Sequence, residues 1–475
     1  MRLLEDILVF SSATFLFIFL PAVYLLNLLF AGLKLIKVQN ILLMLASILF
    51  YAWGEPVYVI LMLVSTAANY ALALIYKPDG TLTRRRVLTV AAVALNIGML
   101  AFFKYADFVI CNVNSLLSLN ISQPNIPLPI GISFFIFQAL SYVLDVFRGE
   151  AKARKNYFDV LLYISFFPQL IAGPIVRYND IAEQIEHREL TLDKTVYGFK
   201  RFCFGLAKKI LLANILGSIT DSLYGFDVLN MPGAWLAALC YILQIYFDFS
   251  GYSDMAIGLG AAFGFEFKEN FNYPYISTSI QEFWRRWHIS LSTWFREYLY
   301  IPLGGNRNGK LRTGINKVIV FFFTGLWHGA SWNFVIWGLF HGLFIMLESY
   351  GVIKPNRLPK FLSYCYAMLV VTVGFVFFRA ETLPQAVRVL GEMASFNFDS
   401  MICARISALV TPMAAIVFIV GCIAATPFVG IWAKRIIKNE AILEVAKGVC
   451  ALVLLVLSVL ALSTSAYNPF IYFRF

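Results

Sequence analysis

Charge is what this sequence has least of. Of its 475 residues only 14% are Asp, Glu, Lys or Arg, while 60% are hydrophobic. Soluble proteins carry about 25% charged and about 45–50% apolar residues. With a mean hydropathy of +0.75, this excludes an ordinary soluble enzyme and a disordered chain. Cysteine is sparse as well: seven are scattered along the chain with no Cys-x-x-Cys. That argues against a zinc site, a redox motif or a disulfide framework. There are only four histidines, none spaced with carboxylates as metal ligands, so no metal is expected. Gly-x-Ser-x-Gly, a Walker loop and Gly-x-Gly-x-x-Gly are all missing. The alternating pattern of a membrane β-barrel is missing too.

Long continuous apolar runs are what is there. They predict an all-α polytopic membrane protein. At roughly 20 residues per span it has about 11–12 transmembrane helices, with re-entrant and amphipathic helices besides. The net charge of +11 would suggest nucleic acid in a soluble chain. Here basic residues flank spans on the cytoplasmic side, and no nucleic acid is expected. The run Ile7–Ala31 ends before Lys34 and Lys37, which places Met1 outside. Arg84–Arg86, Lys152–Lys155, Lys354–Lys360 and Lys434–Lys438 then share the cytoplasm. Tyr157–Ile175 is broken by Pro168 and Pro174 and lies between basic stretches of the same side, so it reads as re-entrant. Ser407–Trp432 and Ala441–Thr464 read as the last two spans, which puts Phe475 outside as well. No repeat or long linker divides the chain. A single membrane domain over 1–475 is expected, with a core at 129–350 and a short extracytoplasmic tail at 465–475.

Ionisable residues at membrane depth are functional candidates by default. His187 sits in a charged surface loop and reads as a bystander. His328 lies between Trp327 and Gly329 at the end of an aromatic run, where a neutral imidazole can accept a proton. His341 reads as a packing residue. His288 belongs to Gln281–Ser292. If that segment is one helix, Trp284, Trp287, His288, Leu291 and Phe295 share a face. Arg285, Arg286 and Arg296 occupy its other faces. Guanidinium forks suit a phosphate-rich ligand from the cytosol, and a basic helix lying on anionic lipid fits the same pattern. Asp248 and Asp254 flank Gly251, either capping a broken helix there or pairing with Lys or Arg.

Phe247-Asp248-Phe249-Ser250-Gly251-Tyr252-Ser253-Asp254, Asn270-Phe271-Asn272-Tyr273-Pro274-Tyr275, Phe283-Trp284-Arg285-Arg286-Trp287-His288 and Trp327-His328-Gly329 closely resemble the membrane-bound O-acyltransferase family. Phe166–Ile175 and Gly304–Arg307 fit it too. The resemblance covers nearly the whole chain and points to the family's alginate O-acetylation branch. It implies a ring of helices around a central funnel and tunnel, in a bacterial cytoplasmic membrane. It also implies that His328 is the essential histidine and His288 the second one. Acetyl-CoA would be the acyl donor, with no permanently bound cofactor, and Arg285, Arg286 and Trp287 would be the cofactor-binding candidates. The acetyl group would be bound for an exopolysaccharide or other cell-surface glycan, delivered through a separate extracytoplasmic SGNH-type partner. Two rival readings are D-alanyl transfer to teichoic acid, fed by a carrier protein, and a transporter with broken helices at Pro168/Pro174 and Gly251.

The tail Tyr467–Phe475 is rich in aromatics and reads from composition as an interfacial anchor. Phe470-Ile471-Tyr472 with Phe475 also resembles the C-terminal motif of a partner protein in the D-alanyl system. That resemblance implies Tyr472 as an acyl relay.

Overall fold

In the computed structural model, residues 8–77, 79–464, 467–469 and 471 are described. Tyr472, the proposed relay, lies outside them, as do the first seven residues. Every regular element among the described residues is helical. Among the described residues eight helices have the length and apolar content of a membrane span, and Ser400–Leu409 with Pro412–Ala424, bent by 79° at their junction, makes a ninth when counted as one broken span. Helix is the expected answer, because lipid offers backbone groups no hydrogen-bond partner. On Glu440–Thr464 the exposed residues Ile442, Val445, Val449, Leu452 and Val456 recur every three or four positions, the pattern of a helix presenting one side to lipid.

The chain divides into two compact units, Met1–Phe202 with Ser253–Lys268, and Cys203–Tyr252 with Glu269–Phe475. In the first unit Phe10, Phe15, Phe19, Phe50 and Phe167 pack ring against ring. The segment expected to be re-entrant is helical over Tyr157–Ser165 and breaks at Phe166. It makes one more turn at Phe167–Leu170 and is buried through Val176. Gly198 and Gly258 let two backbones touch: a Cβ on Gly198 would lie 2.4 Å from the Gly258 carbonyl oxygen. Arg201 and Asp254 pair beside that crossing at 2.8 Å.

In the second unit, Gly309–His328 and Trp332–Tyr350 form an antiparallel pair. A Cβ on Gly325 or on Gly338 would come within 2.3 Å of a carbonyl on the other helix. Glycine at both places allows the close approach that fixes His328 at the end of its helix.

Three sequence expectations are corrected here. The run Ser407–Trp432 is not one helix. It breaks before Pro412 and again at Pro427, because proline removes a backbone donor and disfavours helix in the residue before it. The helix Met231–Ala262 passes through Gly251 without a break, so Asp248 and Asp254 pair with cations and do not cap. Gln281–Ser292 is also two helices, Ile280–Arg286 and Ile289–Phe295.

Candidate functional site

The break between those two short helices is His288 itself. Its backbone is left-handed, with φ 45° and ψ 54°. A non-glycine residue rarely adopts this, at a cost of about 1–2 kcal/mol. Asn270 holds the turn. Its carbonyl accepts the Ile289 N–H at 2.9 Å, and its Oδ1 accepts the Ser290 N–H at 3.1 Å and the Ser290 hydroxyl at 2.9 Å. His288 Nδ1 lies 3.2 Å from the same Oδ1. Since that atom already accepts a backbone N–H, it is an oxygen, and Nδ1 must donate to it. In the neutral ring the lone pair then sits on Nε2, which has no hydrogen-bond partner among the described residues. Here a second group sets the tautomer and leaves one nitrogen ready to accept a proton.

His288 and His328 are both buried. Their ring centroids are 6.5 Å apart, too far for a direct hydrogen bond and wide enough for a reacting group between them. Phe249 packs edge-on against His288 at 4.6 Å. Trp327, Trp337 and Phe378 surround His328 at 4.9–5.0 Å. His341 sits one ring further on, 5.3 Å from both Trp337 and Trp284. Neither nitrogen of His341 has a hydrogen-bond partner among the described residues, nor do the indole N–H groups of Trp284 and Trp337. Buried polar groups in native proteins are seldom left unsatisfied, so this cluster is prepared for a polar atom from elsewhere. His187 is exposed at a helix end.

Trp284 also lines a cavity of about 310 Å³. Arg285, Arg296 and Lys317 bring positive charge to it, and Phe295, Phe321 and Leu291 supply apolar surface. Arg285 lines a second cavity of about 550 Å³, together with Lys354 and Arg357. Glu348 also borders the second cavity, but both its oxygens are engaged at the start of Ile280–Arg286, accepting the Ile280 and Gln281 N–H groups at 2.7 and 3.0 Å. Lys317, Val320, Phe321 and Thr324 are cavity residues, and His328 is the next position on that face of the helix.

The sequence-predicted residues separate here. Arg285 faces both cavities. Arg286 turns back to Glu282 and to the Asn272 carbonyl, at 3.0 and 3.1 Å, and braces the loop that holds His288. Trp287 is buried, stacked on Phe283 with Phe271 edge-on and Phe375 tilted against it, and lines neither cavity. Lys317, Lys354 and Arg357 are the cavity residues that sequence reasoning missed. Lys317 lies three helical turns before His328, and that spacing was the available signal.

The membrane-bound O-acyltransferase family matches the chain over residues 97–378. A probable alginate O-acetylase, AlgI, of Azotobacter vinelandii is 40% identical, over 98% of this chain and all of that protein. A peptidoglycan O-acetyltransferase of Helicobacter pylori is 36% identical over 83% of this chain and 81% of its own length. A teichoic acid D-alanyltransferase of Bacillus subtilis is 26% identical over 62% of this chain and 84% of its own.

Proposed function

The chain belongs to the membrane-bound O-acyltransferase family, and from that membership we propose that it moves an acetyl group from cytosolic acetyl-CoA across the membrane for O-acetylation of an exopolysaccharide or other cell-surface glycan. One observation carries the donor reading: two basic cavities share Arg285, and the first is lined by Lys317, Val320 and Thr324, on the helix face that ends at His328. From Lys317 to His328 that face rises about 16 Å. A pantetheine arm has roughly four residues' worth of chain between phosphate and sulfur, about 15 Å when extended. A phosphate held by Arg285 and Lys317 therefore brings the thioester to the histidines. Lys354 and Arg357 suit the remaining phosphates, as cations suit phosphate generally. The thioester carbonyl would meet the unsatisfied N–H groups of Trp284, Trp337 and His341, placed where negative charge develops in the transition state.

In this reading His328 takes the proton of the attacking hydroxyl, and His288 stands beside the reacting group with its Nε2 lone pair ready to accept a proton. The first acceptor is Tyr472. Its oxygen forms a bond to the carbonyl carbon, the carbon–sulfur bond breaks, and the thiolate leaves with the proton as coenzyme A. A hydroxyl of an extracytoplasmic SGNH-type partner then attacks the tyrosyl ester, and the phenol is regenerated. The similarity to alginate and peptidoglycan O-acetyltransferases supports a glycan as the final acceptor.

Purified protein in vesicles, given radiolabelled acetyl-CoA without a partner, is expected to take up label as an ester. Uptake only from an acylated carrier protein would favour D-alanyl-type transfer instead. Arg285→Ala is expected to raise the KM for acetyl-CoA about ten- to a hundredfold, because hydrogen bonds to a charged group contribute about 1.5–3 kcal/mol. Initial rates over a range of donor concentrations check this, and an unchanged KM removes Arg285 from donor binding.

A further inference from the structure

Lys209 and Asp248 form an ion pair at 2.7 Å with side chains only 4% and 1% exposed. Burying two charges is costly unless their remaining valences are filled, and here the C-terminal tail fills them. Asp248 Oδ2 accepts the Ile471 N–H at 2.9 Å, and Lys209 Nζ donates to the Pro469 carbonyl. Both contacts are to backbone, so they fix the register of the tail and not its side-chain chemistry. Ile471 is 4% exposed. Upstream, Asn214 donates to the Tyr467 carbonyl at 3.2 Å, and the Tyr467 hydroxyl donates to Asp221 at 2.7 Å. Lys209 lies in a π-helical stretch, Lys208–Ala213, a distortion that occurs often at functional sites. The residue after Asp248 is Phe249, whose ring lies against His288. The described tail is therefore a strap tied down through its backbone, half-buried at 467–469 and buried at Ile471, in contrast to a surface anchor.

We propose that the Lys209–Asp248 pair is a receptor for the chain's own C-terminal segment, capturing its backbone at residues 469 and 471 so that the residue after Ile471 is delivered to a fixed place. Lys209 and Asp248 are positioning residues in this scheme. Its purpose rests on the reading of Tyr472 as acyl relay, but its test does not.

Wild-type protein in vesicles is digested with carboxypeptidase and weighed intact. Trimming is expected to stop at or before Ile471. In Lys209→Met/Asp248→Leu both charges are removed together, which leaves none unpaired in the interior. Trimming should then pass Ile471, and label uptake from acetyl-CoA should fall at least about tenfold at unchanged donor KM. The same stopping point in both proteins overturns the proposal, whatever happens to activity. Hydrogen exchange on the unaltered protein gives a check that does not depend on the variant folding. The Ile471 amide should exchange at least about a hundredfold more slowly than in a free peptide of residues 465–475, and equal rates overturn the proposal. Tyr472→Phe separates the two ideas. It should keep the tail protected and abolish ester formation. Normal transfer by that variant removes the relay and leaves the clamp to be decided by protection alone.

Discussion

His328→Ala is expected to lower the rate of acetyl transfer by about 10²–10⁴, the range general acid–base catalysis supplies. The imidazole is the last residue of its helix, 3% exposed, and it continues the cavity-lining face of Lys317, Val320 and Thr324. Packing is the competing explanation for any loss. Trp327, Trp337 and Phe378 close around the ring, so alanine leaves a hole costing about 2–4 kcal/mol. His328→Gln fills much of that space and keeps a hydrogen-bonding end, but it cannot take a proton at neutral pH. If both variants lose transfer while glutamine restores the melting temperature, the chemistry belongs to the imidazole. If glutamine restores transfer as well, His328 is a packing residue and the base must be sought elsewhere. Donor KM should move little in either variant, because Lys317 lies three turns away and Arg285 is on another helix.

Lipid made most of the helices legible in advance. A span needs a long apolar run, and Tyr58–Ile75, Lys360–Arg379 and Glu440–Thr464 are such runs with nothing to interrupt them. Ser407–Trp432 was misread because hydropathy registers composition, and Pro412 and Pro427 barely change it while they end helices. The histidines were legible by type, since so few ionisable residues occur at that depth. Their geometry was not. Trp284, Trp287, His288, Leu291 and Phe295 have helical spacing, and only the Asn270 clamp, 18 residues earlier, reverses the backbone at His288. The ion pairs followed the same rule. Asp248 and Asp254 were expected to find cations, but which lysine or arginine each would meet is fixed by the packing of distant helices. Lys354 and Arg357 were visible as charges and were attributed to topology, and Lys317 was passed over inside an apolar run. Nothing in one dimension says that they converge on Arg285.

His288→Asn is expected to cut turnover by at least about a hundredfold while the protein keeps its fold. Asparagine is chosen because it tolerates the left-handed backbone that His288 adopts, where alanine would add strain. Its amide can still donate to Asn270 Oδ1, so the clamp on Ile289 and Ser290 survives. What disappears is the Nε2 lone pair, held about one reacting group from His328. The partner variant is Asn270→Ala, which removes the acceptor that sets the tautomer and orients the ring. It should lower turnover by less than His288→Asn and leave donor KM nearly unchanged. Asn270→Asp restores an acceptor for the Nδ1 proton and for Ser290, and should recover much of the lost rate. Turnover and KM for all three variants, measured beside thermal unfolding, decide the matter. Should His288→Asn acetylate at the wild-type rate, or Asn270→Asp be no better than Asn270→Ala, the oriented lone pair is not part of the mechanism. His288 would then be a turn residue whose left-handed backbone serves only to bring Ile280–Arg286, and with it Arg285, to the two basic cavities.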